Sequence, residues 1–452
     1  MIATSKPKTR LEHDLIGDIA VPASALFGAQ TQRAVENFPL RGQRTIGDFP
    51  ALVQGLLRVK QAAALANQKA GLLDRRVGGA IVAAARSLLD RPRPDQFPIH
   101  CLHGGGGTSA NMNANEVLAN LAEERLGGRR GRYAKVHPND HVNQQQSTND
   151  VYPAACHLAV ILQWPRLEQA LGVLVAGLDG KARQWKTRRR LARTCLQDAV
   201  AITFADLLGG YVQFIRRRGK AVGQAVDALH AVPLGGTIVG RREDVATGYW
   251  KAVIPALRQV TGDRRYRRSA NLFDAAQNMD DLVRVSSELD LLARGLVKIG
   301  QDLRLMNSGP EAGLGEIILP AAQPGSSIMP GKINPVIPEH AMQLCFKVMG
   351  LHAQCQATLD HGELDLNVWE SAAVFGVLES MELLASAALV LEERAIRDLR
   401  LDAARNERNA DTLIPLLTEA MKKHGYSRVS DLCKRARKEG VPVRTLLAEA
   451  FA

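Results

Sequence analysis

Three polar stretches hold the residues best suited to chemistry. "PGSSIMPGKIN", residues 324–334, sets Ser326, Ser327, Lys332 and Asn334 among two prolines and two glycines. Gly and Pro punctuate structure, so this is a loop. A lysine and an amide together suit the holding of a carboxylate. A serine serves as nucleophile or base once it is activated. No GxSxG elbow surrounds these serines and no Ser–His–Asp order is evident, which argues against a hydrolase triad. "GGGGTSANMNANE", 104–116, joins glycines that admit a ligand close to the backbone to Thr108 or Ser109 as caps of the next helix. No GK[ST] follows, so it is not a Walker loop. "QSTND", 146–150, lines up Ser147, Thr148, Asn149 and Asp150, all good N-cap residues, where one cap needs one. For each stretch the plain alternative is a capped helix start or a glycine-rich linker. Together they predict a pocket for a small, anionic, hydrogen-bonding substrate.

Long helices must position these loops. Leu282, Val285, Leu289, Leu292, Leu296, Ile299 and Leu303 repeat at spacings of three and four, the seam of helices packed near 20°. Val374, Leu378, Met381, Ala385 and Ala388 repeat the pattern. A bundle of long helices buries such seams, and some of them are expected to close between subunits. The spacing predicts a helix over 111–126, ended by Gly127 and Gly128. Strand signals are weak. The expected fold is mainly α, with three domains: a mostly helical one over 1–143, a long-helix bundle over 144–397 and a small helical one over 398–452.

Composition narrows the function class. A chain of 452 residues exceeds one ordinary core. The net charge of +12 includes runs at Arg188–Arg190 and Arg216–Arg218. Such a surface attracts anions, but no nucleic-acid module accompanies it, and a solvated basic helix face explains it. Cys101, Cys156, Cys195, Cys345, Cys355 and Cys433 form no CxxC pair, which suits a reducing cytosol rather than a disulfide framework or zinc site. The segment "MIATSKPKTRLEHDLIGD" lacks a signal-peptide core, and no uninterrupted apolar run is long enough to span a membrane. A cytoplasmic protein with no membrane or nucleic-acid partner, no cofactor and no metal is expected.

The same residues resemble a known family. "GSSIMPGKINPVIPE" (325–339) resembles the signature of the fumarase/aspartase superfamily. "GTSANMNANEVLAN" (107–120), "HPNDHVNQQQSTNDVYP" (137–153) and "RTCLQDAVAIT" (193–203) resemble its other blocks, as do residues 14–40 and 302–320. The resemblance covers nearly the whole chain, in order. "PVIPE" and "QSTND" are closer to aspartate ammonia-lyases than to class II fumarases. The resemblance implies a homotetramer whose active sites draw on three subunits and take a small dicarboxylate. It implies Ser326 as the base that removes a proton beside one carboxylate. Ser327, Thr108, Ser147 and Thr148 would hold the resulting dianion. Lys332, Asn334 and Thr194 would bind the other carboxylate, and Asn149, with Thr108, would meet the leaving group.

Three positions depart from the fumarase pattern. Cys195 stands where fumarases carry a histidine that relays to the glutamate matching Glu339. His103 stands where glutamine is commoner, and Ala201 where proline is usual. Loss of the imidazole disfavours activation of water and spares elimination of nitrogen. The expectation is elimination of ammonia from L-aspartate to give fumarate. Release of nitrite from nitrosuccinate is the first alternative and fumarase the second. A silent structural relative and a basic nucleic-acid binder are the alternatives of another class.

Overall fold

The computed structural model describes residues 8–451; the first seven residues of the N-terminal segment just quoted lie outside them. The described chain is mainly helical, as expected. A hairpin of β1 (Thr9–Asp14) and β2 (Gly17–Pro22) leads to α1 (Ala29–Asn37), α2 (Pro50–Lys69), α3 (Arg75–Asp90), α4 (Thr108–Arg125) and α5 (Thr148–Gln184). A second hairpin, β3 (Arg189–Thr194) and β4 (Gln197–Thr203), leads to α6 (Phe204–Ala228). Next come β5 (Ala231–Val232), α7 (Thr247–Thr261), β6 (Arg267–Arg268), α8 (Leu272–Gln277), α9 (Asp280–Met306) and β7 (Ile317–Ile318). After these are α10 (Val336–Leu359), α11 (Glu370–Leu391), β8 (Arg400–Leu401) and the short helices α12 (Ala403–Ala410), α13 (Leu413–His424), α14 (Tyr426–Glu439) and α15 (Val443–Phe451). The strands pair two by two, and β5–β6 alone is parallel among the described residues.

The chain divides into two compact units. The first takes the chain up to Glu168, then Lys220–Leu291 and Lys347–Leu384; the second takes Gln169–Gly219, Leu292–Phe346 and the chain from Ala385 on. The divisions fall within the five longest helices, α5, α6, α9, α10 and α11. Every residue of both predicted seams is buried, which is why such long helices are stable in water.

In the first unit α2 lies along α7 and α3, and α4 packs on α3 and α1. Asp74 starts α3 by accepting the N–H groups of Arg76 and Val77. Helix α4 has an unusual composition for a buried element: Asn111, Asn113, Asn115, Glu116, Asn120 and Glu123 are all buried. Most of these side chains bind backbone, while Asn111 and Asn115 donate to the side-chain oxygen of Asn143. Glu116 accepts the N–H groups of Gly28, Gln30 and Thr31 at the start of α1, Asn113 donates to Gln96 O, and Glu123 accepts from Lys135 and Val136. Each buried polar group thereby fixes a loop.

In the second unit α12 packs on β3 and α13 on β4, while α13, α14 and α15 close a small core of Val429, Leu432, Ala436, Leu446 and Leu447. The basic runs are partly neutralised here. Arg189 pairs with Glu407 and Asp411, Arg190 with Glu316 and Arg216 with Asp179. By length and composition alone α5 and the stretch Glu370–Ile396 could cross a membrane, but 67% of the most apolar window of the latter is buried inside the protein, as in a core helix.

Candidate active site

The candidate residues lie in both units: at the starts of α4 and α5 in the first, and on the 325–334 loop and, separately, the β3–β4 hairpin tip in the second. In the first, α4 begins at Thr108, three residues before the predicted start, because Gly107 takes φ +81° and serves as the cap itself. A Cβ there would approach the ring of Tyr152 to 2.1 Å, so only glycine fits. Thr108 therefore lies in the first turn of α4, exposed, rather than at the cap. Helix α5 starts with a reciprocal cap: Ser147 Oγ accepts the N–H of Asn149 at 3.2 Å, and Asp150 Oδ1 accepts the N–H of Ser147 at 3.0 Å. Asp150 Oδ2 also accepts from Gly235 N at 2.9 Å. Burial pushes the Asp150 carboxyl up to about 6, against the pull of the N–H groups of Gly235 and Ser147.

Capping thus uses Ser147 and Asp150, and the half-buried Thr148 and Asn149 turn elsewhere. Asn149 Nδ2 donates to Ile238 O at 2.8 Å. Thr148 Oγ1 accepts from Asn111 Nδ2 at 2.9 Å. Asn111, also bonded to Asn143 Oδ1 at 3.2 Å, escaped the sequence reading. Its signal was the repeat of asparagines at 111 and 115, one helical turn apart on the same face of α4. His103 is buried, with Nδ1 against the carbonyls of His100 and Cys101 at 3.1 and 3.2 Å. Burial lowers its pKa, so the imidazole is neutral near pH 7, Nδ1 donates and Nε2 is an acceptor.

In the second unit residues 325–334 fold back on themselves. Gly325 N donates to Lys332 O at 2.8 Å, and Asn334 Nδ2 donates to Gly325 O at 2.8 Å. A Cβ on Gly325 would meet Asn334 N and Lys332 O at 2.7 Å, so the pinch requires glycine. Within the closed loop Ser326 Oγ accepts the backbone N–H groups of Ile328 at 3.2 Å and Met329 at 3.0 Å. Ser327 and Lys332 are exposed. Lys332 and Asn334 line a cleft of about 1000 Å³ that also presents Arg304, Asn307 and Arg400. Glu339, in the first turn of α10, is held by Arg304 at 3.3 Å.

Thr194 and Cys195 lie at the tip of the β3–β4 hairpin, both exposed. Cys195 and Leu196 have φ of +52° and +61°, the pattern of a two-residue type I′ turn, in which Asn-Gly is the usual sequence. Neither residue signals such a turn, which is why the block "RTCLQDAVAIT" does not read as a hairpin.

Comparison with known proteins identifies the family. A family model described as Lyase matches residues 17–350. An aspartate ammonia-lyase of a Bacillus species is 38% identical over 97% of this chain and 92% of its own. The chain belongs to the fumarase/aspartase superfamily. Within the superfamily it is 40% identical to a class II fumarate hydratase of Pseudomonas aeruginosa, over 96% of this chain and 93% of that one. The crystal structure of a fumarate lyase:delta crystallin from Brucella melitensis, bound to cobalt, aligns with a TM-score of 0.94 and 40% identity over 98% of this chain and 96% of that one. A class II fumarase from Schistosoma mansoni aligns with a TM-score of 0.92 and 30% identity over 98% and 95%. Superfamily relatives of both activities are about equally similar, so the leaving group must be argued from the site.

Proposed function

We propose that the chain is a carbon–nitrogen lyase that forms fumarate from a nitrogen-substituted succinate, with L-aspartate as substrate and ammonia as leaving group. The observation that carries the reading is the pair of backbone N–H groups on Ser326 Oγ. Two fixed donors stabilise an oxygen that bears negative charge, so the serine gains the character of a base. Ser326 takes a proton from the carbon beside one carboxylate. The C–H electron pair passes into that carboxylate, giving a dianion held by Ser327, Thr108, Ser147 and Thr148. The pair then forms the double bond as the C–N bond breaks at the neighbouring carbon. Ammonia leaves past Asn149 and Thr108. Lys332, Asn334 and Thr194 hold the second carboxylate. The step needs no external electron acceptor.

The reading includes a homotetramer in which one active site takes residues from three copies. Its support is the exposure of Ile328, Met329 and Ile333 on the loop, 83%, 48% and 47%, large apolar side chains beside the proposed base. Six unpaired cysteines suit the cytoplasm, where the reading sets the enzyme.

Fumarase is the second reading, favoured by the Pseudomonas relative. Against it stands Cys195, exposed at the hairpin tip, where the fumarase resemblance calls for a histidine. Nitrosuccinate remains the alternative nitrogen substrate. Absorbance in the fumarate band, followed in parallel with L-aspartate, malate and nitrosuccinate, tests all three. Aspartate is expected to react fastest. Malate turnover faster than that of both nitrogen substrates would restore the fumarase reading.

A further inference from the structure

Lys60 lies in the middle of α2 and is fully buried. Among the described residues no carboxylate oxygen bonds its ammonium. Its acceptors are two amide oxygens, Asn143 Oδ1 at 2.8 Å and Gln146 Oε1 at 3.0 Å. A buried cation held only by neutral groups is costly, and burial accordingly pulls the ammonium down to about 7, against the nearby charge of Asp150. Core packing gives no reason for a charge at this position.

Hydrogen-bond direction supplies one. An ammonium only donates, so it forces both amides to present oxygen. With Oδ1 turned to Lys60, Asn143 also accepts from Asn111 Nδ2 at 3.2 Å and Asn115 Nδ2 at 3.1 Å, and its Nδ2 donates to Gln146 O at 3.1 Å. Gln146, likewise fixed, donates from Nε2 to Val142 O at 2.9 Å and Gln144 O at 3.1 Å. Asn111 Nδ2 then donates to Thr148 Oγ1 at 2.9 Å. With that lone pair taken by a donor, the Thr148 hydroxyl hydrogen is left to donate outward. Asn143 Oδ1 therefore takes N–H groups from Lys60 and Asn111 together, and Asn111 Nδ2 also donates to the Thr148 hydroxyl beside Asn149.

We infer that Lys60 is a positioning residue for dicarboxylate binding: it orients Asn143 and Gln146 so that the segment Ser147–Asn149 presents donors and positive potential to a carboxylate. The inference rests on the proposed dicarboxylate chemistry. Without the ammonium Gln146 Oε1 loses its donor and Asn143 Oδ1 keeps only the N–H groups of Asn111 and Asn115, so the two amides beside Thr148 are held less firmly.

The test compares the unmodified protein with Lys60→Met and Lys60→Gln. Succinate, which has no leaving group, is titrated calorimetrically, KM and kcat are measured with aspartate, and Tm is recorded. For a folded variant the expected result is succinate affinity and aspartate KM each weakened about tenfold or more, with Tm held or raised, since removing a buried charge is often tolerated. Affinity within twofold of the unmodified protein in a folded variant would overturn the inference. So would failure of both variants to fold, which would assign Lys60 to stability alone. If the unmodified protein neither binds succinate nor turns over any substituted succinate, the proposed function itself fails, and the inference with it.

Discussion

The side-chain amide of Asn334 donates to the carbonyl of Gly325 at 2.8 Å, and this bond closes the loop that carries Ser326. The closure leaves no room for a Cβ on Gly325. Gly325→Ala is therefore expected to open the loop and reduce turnover about a hundredfold or more, while Tm stays within a few degrees because the loop is mostly exposed. Steady-state kinetics and a thermal melt check it. Unchanged kinetics would mean that the closed loop is dispensable.

Ser326→Ala should preserve folding, because the side chain is small and its bonds are local. Turnover should fall by more than about 10³-fold, as for loss of a catalytic proton-transfer group. Activity within tenfold of the unmodified enzyme would shift the base to Ser327 or refute the role altogether.

Lys332→Met removes a charge at similar length from an exposed side chain in the cleft. A charge-assisted hydrogen bond contributes roughly 1.5–3 kcal/mol, so affinity for aspartate and for succinate should fall together by at least tenfold. The role is lost if both dicarboxylates bind as before.

Cys195 is exposed, whereas Cys101, Cys156, Cys345 and Cys355 are buried. Iodoacetamide should label Cys195 ahead of those four, as mass spectrometry of peptides would show. Cys195→Ser should keep at least about a tenth of the activity on the true substrate, because a thiol is only a weak donor. Cys195→His should not by itself create efficient hydration of fumarate. Rapid hydration by that variant would make the residue the sole determinant of water activation.

Glu370, buried at the start of α11, has its carboxyl pushed up to about 8 by burial. The folded state keeps a proton that the unfolded chain releases above its ordinary pKa of about 4.3. Stability from this group is therefore full below that value and is lost as pH rises through about 8. Glu370→Gln, isosteric and neutral, should raise Tm at pH 8.5 more than at pH 5. An equal shift at both pH values would show that the proton is not involved.

Much of this molecule was legible in the order of its residues. The spacing of Leu282 to Leu303 announced a buried seam because helical periodicity is a local property, and all seven residues are buried. The glycines and prolines around Ser326 announced a loop for the same reason. Tertiary structure decided what local rules cannot. Gly107 rather than Thr108 caps α4, because the ring of Tyr152, forty-five residues on, occupies the space of a Cβ. Cys195 and Leu196 accept left-handed backbone angles because the β3–β4 pairing imposes a two-residue turn on them. Lys60 and Asn143 meet only after α2 and the segment before α5 have packed. Periodicity places a lysine on a helix face. Which oxygens surround its charge depends on chain more than eighty residues away, and a hydrogen-bond network forms only when all its members are in place.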